Sequence, residues 1–61
     1  MFIELKINGK SKLLNIANIV EVEPTGEKTN ILMAIGSNAQ SYTVERSYSD
    51  IKKELAEMNL Y

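Results

Sequence analysis

The chain has no cysteine, no histidine and no tryptophan, and it has a single proline. Without cysteine or histidine there are no disulfides, no thiolate nucleophiles and none of the usual zinc sites. The side-chain metal ligands that remain are carboxylate oxygens, which suit calcium or magnesium. Charge of one sign is also lacking. Seven basic against eight acidic residues leave a net charge of −1, which is not the balance of a general nucleic-acid binder. No apolar run approaches the roughly 18 residues that a membrane helix needs. The opening Met1-Phe2-Ile3-Glu4-Leu5 is interrupted by a carboxylate and has no basic flank, so no signal peptide is read there. The lack of cysteine fits a reducing compartment, and a cytoplasmic location is the expectation.

With 61 residues, the chain makes one domain. A domain of this size buries only about 60% of the surface its unfolded chain exposes. Small domains usually add a disulfide, a metal or a partner subunit. Here the partner subunit is the staple that remains available.

What is present is mostly strand pattern. Ile3, Leu5 and Ile7 alternate with Glu4, Lys6 and Asn8, a period of two that gives one buried face. Phe2 interrupts the alternation. Asn8-Gly9 follows at once and tolerates the positive φ angles of a tight hairpin turn. Lys10 to Ile16 is then the returning strand. A two-residue loop places Ile3 opposite Leu14 and Met1 opposite Ile16, with Leu5 and Ile7 meeting Lys12 and Lys10. A three-residue bulged loop would turn Leu13 to the core instead. The first register is preferred.

Asn15 to Asn18 reads as a bend, and Ile19 to Glu23 as a third strand with Val20 and Val22 opposite two glutamates. Pro24 to Lys28 reads as a loop. Thr29 to Ile35 carries Ile31, Met33 and Ile35 on one face and Leu32 and Ala34 on the other. Such a strand is central, or shows its second face to a partner. Gly36 to Gln40 is a turn cluster, and Ser41 to Arg46 the last strand, with Tyr42 and Val44 inward. Ser47, or Ser49 as an alternative, then caps a helix with Asp50 at its N-terminus. Tyr48, Ile51, Leu55 and Met58 fall on one stripe of it. The expected fold is α+β: an antiparallel sheet of four to five strands followed by one C-terminal amphipathic helix packed on one face.

Candidate chemistry is sparse. Thr25-Gly26-Glu27-Lys28-Thr29 has the residue types of a phosphate loop, but Glu27 separates glycine from lysine and Glu21 stands where the first glycine belongs. Glu21 and Glu23 share a strand face in the manner of a half-exposed strand. No histidine exists to activate Ser47 or Ser49. Tyr42, Tyr48 and Tyr61 read as core or rim residues. No catalytic, cofactor or metal site is expected, and no small-molecule substrate. Two interaction features remain. Lys6, Lys10 and Lys12 gather on the first hairpin, where a basic tip can contact phosphates or simply blunt a sheet edge. Leu32 and Ala34 offer an apolar second face.

Leu5-Lys6-Ile7-Asn8-Gly9-Lys10, Leu14-Asn15, Ile19, Glu21 and Tyr42-Thr43-Val44-Glu45-Arg46-Ser47 together resemble a family of short proteins. It includes small flagellar-operon and swarming-motility proteins and many phage and Bacteroides-type proteins of unknown function. In the motility members the serine follows a glutamate, where this chain has Arg46, and their glycine turn is more compact than Gly36 to Gln40. The resemblance implies a bacterial or phage origin and no active site. The expectation is a non-enzymatic protein-interaction module, self-associating through a sheet edge or face. The alternative is a weak nucleic-acid-binding module that uses the basic hairpin.

Overall fold

Two antiparallel sheets and one C-terminal helix make up the structure, a computed structural model that describes residues 1–60. Tyr61, grouped above with the other tyrosines, lies outside the described residues. Strands β1 (Phe2–Ile7) and β2 (Lys10–Asn15) form a hairpin. A single 3-10 turn, Ile16–Asn18, leads into β3 (Ile19–Thr25), β4 (Lys28–Ile35) and β5 (Asn38–Val44). These three pair in sequence order with β4 in the middle. Helix α1 (Tyr48–Glu57) follows.

The α+β class is as the pattern predicts, but the single sheet of four to five strands is not what forms. The strands divide into a two-stranded and a three-stranded sheet. The Asn15 side chain accepts from the Ala17 amide at 3.1 Å, capping the 3-10 turn that carries the chain out of the hairpin plane. On the other side of the hairpin, one backbone bond joins β1 to the chain just past β5: the Glu45 amide donates to the Lys6 carbonyl at 3.2 Å. The physical reason is burial. One helix of ten residues cannot cover a long sheet, so the hairpin folds over the three-stranded sheet and the two inner faces dry each other.

The core records that arrangement. Ile3, Leu5, Ile7 and Leu14 from the hairpin meet Ile31, Met33 and Val44 from the sheet, and Ile51 from the helix. The helix was expected to be the cover of a sheet face. It packs on β3 and β4, but Ile51 is its one buried residue; Leu55 and Met58 are only partly buried against the core.

The hairpin takes the two-residue register, with Ile3 opposite Leu14, Leu5 opposite Lys12 and Ile7 opposite Lys10. Asn8 at φ 52° and Gly9 at φ 76° supply the paired positive angles of the primed turn that matches strand twist. The Ile16 amide donates to the Met1 carbonyl at 3.0 Å, which continues the same pairing past the strand end.

Three expectations need correction. β3 runs on through Pro24 to Thr25, leaving only Gly26 and Glu27 in the turn. Proline is tolerated because β3 is an edge strand: Pro24 lies next to Thr25, whose pairing with Lys28 closes the turn, so its missing amide points away from β4. Val20 does not share the inward face with Val22. A bulge leaves it without a partner between Ile19 and Glu21, and it is 63% exposed. The second turn is only Gly36-Ser37, so Asn38 to Gln40 join β5, which ends at Val44.

Thr29 is the one buried polar side chain among the described residues. Its hydroxyl donates to the Arg46 carbonyl at 2.8 Å, fastening the β5–α1 link to the central strand. Replacing it with valine keeps the shape and strands that carbonyl. Thr29→Val is expected to cost about 1–3 kcal/mol, read as a lower urea midpoint at unchanged slope. An unchanged midpoint would mean water satisfies Arg46 instead.

Candidate interaction surface

Three of the six exposed large apolar side chains among the described residues gather in one place. Phe2 and Leu13 stand on the outward face of the hairpin as diagonal neighbours, at 57% and 65% exposure. Ile35, 65% exposed, ends β4 on its inner side. Between the hairpin and the β4–β5 turn runs a groove of about 320 Å³. Phe2, Leu13, Leu14, Met33 and Ile35 supply its apolar wall, and Asn15, Asn38 and Gln40 a polar rim. No helix residue lines it. A second cleft of similar size lies where Met1, Ile16 and Ile19 approach Leu55 and Leu60.

The structure disperses the three hairpin lysines. Lys6 is on the outer face with Glu4, whereas Lys10 and Lys12 pair across from Ile7 and Leu5 and so point to the inner side. The Lys12 ammonium sits 5.5 Å from the Tyr42 ring centroid, a cation–π contact that ties the hairpin to β5. Leu32 and Ala34 do lie on the outer face of the three-stranded sheet, half-buried. Glu21 and Ser41 flank Leu32, and Ala39 faces Ala34, so the apolar strip is one strand wide at Leu32 and gains only a methyl group at Ala34.

Two hydroxyls serve structural bonds. Ser47 accepts from the Asp50 amide at 3.2 Å as the helix cap, and Thr29 holds Arg46. Arg46 in turn pairs with Glu54 across the first turns of the helix. Among the described residues no group of three or more acidic side chains converges as a metal site, and no helix is long and apolar enough to cross a membrane.

Phe2, Leu13 and Ile35 were not singled out by the sequence pattern as interaction residues, although two of them left a mark in it. Phe2 breaks the alternation of β1, and Leu13 is the leucine that the two-residue turn leaves outside. Ile35 left none, because its parity is inward and only its place at the strand end exposes it. The fold and surface thus define a small α+β domain of two facing antiparallel sheets with an apolar groove at their open side. Comparison with family models, with curated proteins and with solved structures gave no match.

Proposed function

We propose that this chain is a non-enzymatic protein-interaction module that works as a homo-oligomer. The observation that carries the reading is the groove bordered by exposed Phe2, Leu13 and Ile35. A domain of 61 residues has little apolar surface to spare, and grouped exposure of this kind marks an association site. The absence of histidine and cysteine supports the non-enzymatic part. A bacterial or phage cytoplasmic setting rests on the motif resemblance and the cysteine-free composition. Light scattering on the eluting protein at micromolar concentration tests the reading. A mass at least twice the 6.9 kDa of the chain is expected; a strict monomer overturns it.

A further inference from the structure

Each exposed sheet edge can be asked whether it is protected against pairing, because an edge left open is available to a second chain. The β3 edge is protected three times over, by Pro24, by the bulge at Val20 and by Glu21 and Glu23. The β2 edge carries Lys10 and Lys12. Within the strand the β5 edge has no such device, and beyond it the hairpin end stands across a cleft that Ile7, Asn8 and Lys12 line with Ser41 and Thr43. Asn38 to Val44 contains no charge, proline or glycine, and its register with β4 is unbroken from Ile35↔Asn38 to Thr29↔Val44.

The direction of its backbone groups follows from pairing geometry. In an antiparallel ladder the residues of a strand alternate in which side their N–H and C=O face. Asn38 closes the two-residue turn with Ile35 and so faces β4. Glu45 faces the other way, since its amide reaches Lys6. Between them, Ala39, Ser41 and Thr43 must present N–H and C=O outward. All three residues are exposed, and no strand pairs with them on that side.

The geometry points to β5 as the dimer edge, pairing antiparallel with β5 of a second copy about a two-fold axis at Ser41. This rests on the self-association reading above and names its surface. With Ser41 opposite Ser41 of the second copy, Ala39 falls opposite Thr43, and all of these residues exchange their outward N–H and C=O groups. A shift by one residue would set outward groups against inward ones. The cross-strand pairs are then small and polar on the outer face, and Gln40 against Tyr42 on the inner face, with no like charges opposed. The two-fold makes the contact self-complementary and closed.

Three measurements test this. Ser41→Pro deletes an outward amide without touching a bond to β4, and Ser41→Lys sets two ammonium groups across the axis. Both variants are expected to halve the mass of the wild-type species, with far-UV circular dichroism unchanged. If the proline variant unfolds, the solvent-facing lysine variant decides. Amide exchange of Ala39, Ser41 and Thr43 should slow as wild-type concentration rises, although these amides face away from β4 and no strand among the described residues pairs with them. A wild-type dimer that survives Ser41→Lys, or leaves those amides unprotected, overturns the β5 edge and leaves self-association standing. A monomeric wild type overturns both.

Discussion

Ile51→Ala is expected to lower stability by about 2–5 kcal/mol, the range for emptying a buried isoleucine site. At the usual 0.05–0.15 kcal/mol per residue, a 61-residue domain has roughly 3–9 kcal/mol in total. The substitution therefore removes much or all of the margin. Ile51 is 1% exposed and is the only buried residue of α1. A ten-residue helix is unstable alone, so losing this contact releases the helix and uncovers the β3–β4 side of the core. At about 4–8 °C per kcal/mol, the melting temperature should fall by at least 8 °C. Lys53→Ala on the exposed face is the control and should stay within about ±0.5 kcal/mol. Both are compared at one protein concentration, since self-association of the kind proposed would raise apparent stability. A fall of only a few degrees for Ile51→Ala would show that the hairpin, not the helix, holds the sheet faces together.

The parts of the fold legible in the sequence were those set by neighbouring residues. Asn8-Gly9 marks a tight turn by itself and narrows the register to two loop lengths, of which the two-residue one forms. Ser47 and Asp50 announce the helix start three residues apart, and the cap bond joins those two positions. The alternation in β1 names three core residues directly. Each of these signals needs nothing from the rest of the chain.

What the sequence did not disclose was relational. Whether strands form one sheet or two depends on where the chain leaves a plane, and Asn15 to Asn18 look like any polar bend. The bulge at Val20 is equally silent, because Ile19-Val20-Glu21-Val22 alternates acceptably in either phase. Pro24 was misleading for a related reason: proline excludes a central strand and permits an edge strand, and edge position is a property of the assembled sheet. The site suffered most. Leu32 and Ala34 drew attention as a second apolar face, yet their neighbours across the sheet, Glu21 and Ser41, are what decide how apolar that face is. The groove beside Phe2, Leu13 and Ile35 exists only because the hairpin folds over the sheet.

Adjacent leucines in β2 should show the largest contrast between neighbouring positions. Leu14→Ala is expected to cost about 2–4 kcal/mol, whereas Leu13→Ala should stay within about ±0.5 kcal/mol of the parent. The two residues have the same side chain and the same strand environment, and differ only in the face on which the turn places them. Leu14 is 7% exposed and packs in the core opposite Ile3; Leu13 is 65% exposed beside Glu4. Urea midpoints measured at a dilution where the chain runs as a monomer isolate the fold from any association. On the self-association proposal, Leu13→Ala should instead weaken association at higher concentration, because Leu13 borders the groove. A one-residue slip of the hairpin reverses the face of every β2 side chain, so the opposite ranking of the two variants would mean that Asn8-Gly9 closes as a bulged, longer turn. The pair therefore tests in one experiment the turn on which both the core and the exposed apolar groove depend.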